Sequence, residues 1–167
     1  MTPADILEAL TEVRDPEIPV LNIVEMGIVR DVRLENDTVH VDITPTYTGC
    51  PAMRTIESEI VRTLQARGFQ QVVVHKVFRE PWTTDWMTDE AREKLRAYGI
   101  APPPPRAEEA PDLIPLPFFV ERNEPSVPCP FCGSEQTRQT SAFGSTACKA
   151  LFFCEACRQP FEYFKPL

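Results

Sequence analysis

An α+β chain is predicted, a small α/β sandwich followed by a β-rich ribbon held by metal. Three observations predict it. Helical and strand periodicities follow the order helix, strand, strand, helix, strand, helix over residues 1–100, nine of the eighteen prolines fall within residues 101–128, and two C-x-x-C pairs lie beyond them.

Thr2-Pro3-Ala4-Asp5 sets an N-cap, a proline at the first helical position and an acid in the first turn, so a helix is expected to about Val13 with Ile6, Leu7, Leu10 and Val13 on one face. Asp15-Pro16-Glu17-Ile18-Pro19 ends it, because neither proline can continue the ladder. Strands are expected over 28–34 and 38–44, joined by Glu35-Asn36-Asp37 as a hairpin turn. In the second, Val39, Val41 and Ile43 alternate with His40 and Asp42, which predicts a buried face and a wet one carrying His40. A helix over 51–67 follows, with Met53, Ile56, Ile60 and Leu64 toward the core and Gly68 as its stop. A strand over 72–78, containing His75 as a half-exposed residue, and a helix from Thr88 to Gly99 complete this part.

Residues 101–128, including Pro102 to Pro105, are too proline-dense for helix interiors or central strands and are expected to link two modules. Leu113, Ile114, Leu116 and Phe118 to Val120 are too apolar for a freely solvated tether, so that stretch is expected to dock on a domain surface.

Cys129-Pro130-Phe131-Cys132-Gly133 and Cys154-Glu155-Ala156-Cys157 each place two sulfurs on one tight turn. Two such knuckles close a tetrahedral S4 site, and strands over 141–143, 150–153 and 161–164 can connect them. The ribbon spacing favours one structural zinc ion, with a rubredoxin-like iron centre and a redox dithiol as the alternatives. A module of residues 129–167 is too small to fold on its core alone, so the metal supplies folding free energy. Cys148, between the knuckles beside Lys149, is expected to be a small hairpin residue, the other reading being a second functional thiol.

The net charge of −8 and the absence of any Lys/Arg cluster exclude binding to nucleic acid through counterion release. No apolar run approaches the roughly 18 residues that a membrane span requires, and the first residues carry no export signal, so a cytoplasmic protein is expected.

Cys50 stands alone among the first hundred residues, at the predicted start of the second helix. Unpaired N–H groups there would lower its pKa, Gly49 would permit close approach of a ligand, and Thr46, Tyr47 and Thr48 offer hydroxyls. The competing reading is a cysteine that simply packs as a small apolar residue. A thiol hydrolase would also need a base and an orienting partner, yet His40 and His75 are the only histidines, each within a predicted strand. No Glu-x-x-His pair suits a di-iron site and no Gly-x-Gly-x-x-Gly loop suits a nicotinamide or flavin cofactor. Trp82 and Trp86, in a polar loop, either cap the core or form a partner-binding surface.

Asp15-Pro16-Glu17-Ile18-Pro19, Glu25-Met26-Gly27-Ile28-Val29 and Thr44-Pro45-Thr46-Tyr47-Thr48-Gly49-Cys50-Pro51 resemble successive motifs of the iron-sulfur assembly family that includes SufT-type proteins. Pro81-Trp82-Thr83-Thr84-Asp85-Trp86-Met87, the proline-rich stretch and the C-terminal ribbon are similar, more narrowly, to the PaaD type, also called PaaJ. This is the accessory-subunit family of the phenylacetyl-CoA oxygenase (ring 1,2-epoxidase) system. The resemblance implies a maturation or assembly factor in phenylacetate degradation, with the family's reactive cysteine at Cys50 and its acidic motif residues at Asp15, Glu17 and Glu25. Either the di-iron subunit or the iron-sulfur reductase could be the client. A stoichiometric oxygenase subunit and a zinc-ribbon adaptor with no role for Cys50 are the other readings. One thiolate could hold a transient iron-sulfur cluster only if protomers paired or a partner lent ligands.

Overall fold

The computed structural model describes residues 2–104 and 126–167. It separates into two compact units, one running to Tyr98 and including Leu167, the other Gly99–Pro166.

In the first unit, α1 (Pro3–Leu10) opens on a capping box in which Thr2 and Asp5 each bond the other's backbone N–H. The helix stops short of the expected Val13. Residues 11–13 instead bond back to carbonyls three residues earlier, a tightening that satisfies terminal C=O groups before the prolines. β1 (Val29–Glu35) and β2 (Thr38–Ile43) form an antiparallel hairpin. Its two-residue turn, Asn36-Asp37, has both residues at positive φ, the geometry that matches strand twist. α2 (Ala52–Ala66) then crosses over to β3 (Gln71–Lys76), which pairs in parallel with β2, giving the sheet order β1-β2-β3. Val39, Val41 and Ile43 of β2 are fully buried, as are Ile56, Ile60 and Leu64 of α2 and Ile6 and Leu10 of α1. The i, i+3/i+4 stripe of each helix and the period-2 stripe of the strand thus supply one core. α3 (Asp89–Tyr98) follows a single 3-10 turn, Thr84–Trp86.

The alternation expected of β2 fails at one position. Asp42, expected on the wet face, is buried, because Arg33 grips both carboxylate oxygens from the adjacent strand at 3.0 Å. That hydrogen-bonded guanidinium holds the Asp42 carboxyl below the usual carboxylate range. A buried carboxylate paired in this bidentate manner is tolerated where an unpaired one would not be.

In the second unit, β4 (Ile100–Ala101), β5 (Thr137–Ser141), β6 (Lys149–Cys154) and β7 (Pro160–Phe164) make a sheet in the order β4-β7-β6-β5. Ala101, expected to begin the linker, is therefore a strand residue, paired in parallel with Tyr163, and Val127 lies in the core. The expected docking stretch at 113–120 lies outside the described residues. The first ribbon strand also sits earlier than expected. Ser141 ends β5, and its side chain bonds the backbone of Phe143, whose ring is exposed. Phe152, Phe161 and Tyr163 pack with Cys129 and Cys154 as a small core, in which burial pushes the Tyr163 phenol up.

Candidate functional site and metal centre

The four knuckle cysteines converge. Their sulfurs lie within 4.8 Å of one another, with Cys129 to Cys157 at 3.7 Å and Cys132 to Cys154 at 3.6 Å. A tetrahedron with metal–sulfur bonds of about 2.3 Å has edges of about 3.8 Å, so two opposite edges of the cage already have the length of a closed S4 site. The two turns that build it match. Gly133 and Arg158 each stand four residues after the first cysteine of their knuckle, each at positive φ, and each donates its N–H to that cysteine's carbonyl, at 2.9 and 3.0 Å. The backbone N–H of Cys157 holds the Cys154 thiol down to about 7, which eases its conversion to a thiolate ligand. Cys148 stands apart from the cage. It is buried, with Thr146 Oγ1 3.0 Å from its sulfur, next to Lys149, whose buried ammonium pairs with Glu162 at 2.7 Å.

The second site lies in the first unit, on two loops. The β2–α2 loop carries Thr44 to Pro51, and the α1–β1 loop carries Asp15, Glu17 and Glu25. Gly49 has φ +84°, where an added Cβ would meet nothing, so only the backbone conformation calls for glycine there. Cys50 N–H donates to Tyr47 O at 3.2 Å, closing the turn that delivers the thiol. The helix cap is Pro51, one residue later than expected.

That placement reverses the expected acidity of Cys50. Burial pushes its thiol up, and the carboxylates of Glu17 and Asp15 push the same way. The backbone N–H of Ala52 and the hydroxyl of Thr46 lower it without prevailing. A helix start therefore does not yield a depressed pKa here, because the sulfur is half-buried beside two acids. Alkylation of Cys50 by iodoacetamide is accordingly expected to be slow at pH 7 and to rise with pH through a midpoint above the roughly 8.5 of a free cysteine. A pH–rate profile measured by mass spectrometry checks this, and a midpoint at or below that value contradicts it.

Asp15 shapes its own loop. It is buried, and its Oδ1 accepts from the backbone N–H of Glu17 at 2.7 Å and of Ile18 at 2.9 Å, which fixes the Asp-Pro-Glu-Ile-Pro turn. Thr46, Tyr47 and Thr48 line a cleft of about 240 Å³ with Thr44, Glu80 and Trp82. Glu80 and its neighbour Phe78, which follow β3, were not singled out by the sequence. No motif marks them, and only the parallel pairing of β3 with β2 brings them to this loop.

Glu25 acts on the scaffold. Its carboxylate accepts from Asn22 N–H at 2.7 Å and pairs with Lys94 of α3 at 2.5 Å. Of the two tryptophans, Trp82 belongs to the core. It is 4% exposed and donates Nε1–H to Met26 O at 2.9 Å, the placement of a residue that caps the core. Trp86 is half-buried under the Arg30 guanidinium, 3.5 Å from the ring centroid. It presses so closely on Gly27, at φ +70°, that a Cβ there would stand 2.7 Å from its own Cβ.

Comparison with known proteins agrees with this two-part geometry. Residues 3–73 match the family described as iron-sulfur cluster assembly protein, and residues 116–165 match the PaaD zinc beta ribbon domain. Over 161 residues, 96% of this chain and 91% of the relative, the sequence is 45% identical to an Escherichia coli (strain K12) protein provisionally named as a subunit of 1,2-phenylacetyl-CoA epoxidase. The chain is also 37% identical over 93 residues to the Fe-S protein maturation auxiliary factor YitW of Bacillus subtilis (strain 168), covering 54% of this chain and 90% of that one. The crystal structure of a domain of unknown function, DUF59, from Bacillus anthracis superposes with a TM-score of 0.52 at 28% identity, over 56% of this chain and 90% of that one. No helix among the described residues is long and apolar enough to cross a membrane. The chain belongs to the PaaD family, in which an iron-sulfur cluster assembly domain and a PaaD zinc ribbon share one polypeptide.

Proposed function

We propose that this chain is an accessory maturation factor of a phenylacetyl-CoA epoxidase system, handling iron or an iron-sulfur unit for a client subunit through Cys50. The observation that supports the reading most is the grouping of Cys50 with Thr46, Asp15 and Glu17 on two loops of an iron-sulfur assembly domain. The raised thiol pKa fits a cargo that is a cation. A divalent iron ion reaching Cys50 displaces the thiol proton to solvent, and the nearby carboxylates, which oppose a bare thiolate, then stabilise the positive charge. The half-buried thiol stays protonated between deliveries, which limits its oxidation.

In this reading the ribbon holds one structural zinc, since its four ligands leave no open coordination position. A cluster as cargo would need ligands besides Cys50, from a second protomer or from the client, which is the di-iron subunit or the reductase. The name of the E. coli relative favours a second reading, a stoichiometric subunit of the epoxidase.

Adding the purified chain to epoxidase produced without it separates the two. Epoxidation that returns only when iron and sulfide are supplied, and persists after the chain is removed, supports maturation. Epoxidation that requires the chain in every turnover identifies a structural subunit. In the same assay Trp86→Ala tests the proposed client surface: weaker client binding at unchanged thermal stability is expected, and equal losses of both would assign Trp86 to the core.

A further inference from the structure

On the outer face of the first sheet, the parallel pairing of β2 with β3 sets His40 opposite Val73 and Asp42 opposite His75, so the two histidines are diagonal neighbours. His40 Nδ1 and His75 Nε2 stand 3.0 Å apart. The rings are nearly parallel, at 11°, with centroids 5.3 Å apart, which puts those two nitrogens between the rings, joined by an N–H···N bond. Both side chains are partly solvent-accessible, and Val73 beside His40 is exposed, so the nitrogens can be reached from solvent.

Two imidazole nitrogens about 3 Å apart span the cis edge of a square-planar or octahedral metal with bonds of about 2.1 Å. Rotation of the rings about their Cβ–Cγ bonds turns both lone pairs from each other toward one point. The same face carries Arg33 directly opposite His40, and three carboxylates balance that guanidinium. Asp42, paired with Arg33, lies beside His75, and Asp31 and Glu35 of β1 also contact that guanidinium.

We propose that His40 and His75 form a second, open metal site that takes a borderline divalent transition metal through His40 Nδ1 and His75 Nε2, with water in the remaining positions. On binding, the bridging proton leaves its nitrogen and the outer nitrogen of the same ring takes one up from solvent, so both imidazoles stay neutral and the metal replaces the N–H···N bond. The site differs in kind from the ribbon cage. It has two nitrogen ligands and open coordination, so its metal exchanges readily, whereas four thiolates enclose theirs.

The test titrates nickel chloride into the untagged, zinc-loaded full chain and follows the imidazole NMR signals, of which only two sets exist because the chain has two histidines. One nickel ion at the histidine pair is expected to shift or broaden both sets together, with zinc retained. His40→Ala and His75→Ala are each expected to weaken binding at least tenfold, while Cys148→Ser leaves it unchanged. His40→Gln and His75→Gln serve where an alanine variant fails to fold. Perturbation of only one ring, binding that survives loss of either histidine, binding lost in Cys148→Ser, or no binding at millimolar nickel would each overturn the proposal.

Discussion

Replacing Cys154 by serine is expected to release the metal and unfold the second unit while the first remains intact. Cys154 is fully buried, lies at the end of β6 where its strand meets the knuckle, and is a member of the core as well as of the sulfur cage. Serine at that position offers a hydroxyl that keeps its proton and coordinates poorly. Structural zinc in small modules contributes an apparent 10–16 kcal/mol or so of folding free energy at neutral pH, more than the whole stability of a typical domain. Losing one of four ligands therefore removes more than the small aromatic core of Phe152, Phe161 and Tyr163 can replace. The readouts separate cleanly, because both tryptophans, Trp82 and Trp86, lie in the first unit. Tryptophan fluorescence should keep its native melting transition while metal analysis shows a loss of about one zinc per chain and the 126–166 region becomes sensitive to protease. A variant that retains stoichiometric metal, or in which both units melt together, contradicts this account of two separately held cores.

Much of the fold was legible because its signals are local. Capping at Thr2, the Asn36-Asp37 turn, the apolar stripe from Met53 to Leu64 and the knuckle spacing each depend on residues close in sequence. What was missed depends on register. The burial of Asp42 needs Arg33 across the hairpin, the His40–His75 contact needs the parallel pairing of β3, and the recruitment of Ala101 needs β7, sixty residues away. The site divides along the same line. Candidate residues, including Asp15, Glu17, Thr46, Gly49 and Cys50, could be proposed from their motifs, but the direction of the Cys50 pKa could not. Helix-start N–H groups are visible in a sequence; half-burial beside two carboxylates from another loop is not. For Trp82 the sequence left two readings open, because a tryptophan in a polar stretch between elements points inward only where a backbone carbonyl such as Met26 O receives its N–H.

The second large effect is expected at Cys50. Serine keeps nearly the same volume at this half-buried position and can still accept from Ala52 N–H and Thr46, so fold and zinc content should match the unaltered chain. A serine hydroxyl, however, does not yield its proton to iron at neutral pH as a thiol does. Cys148→Ser serves as the control, because that thiol belongs to the other unit, where it is buried beside Thr146. The most direct measurement is the iron content and epoxidation rate of epoxidase subunits produced alongside each variant. Cys50→Ser should leave them at the level found with no accessory chain, and Cys148→Ser should restore them as the unaltered chain does. If Cys50→Ser instead yields fully loaded, fully active epoxidase, the thiol carries no cargo, and the chain acts as a zinc-ribbon scaffold for the complex.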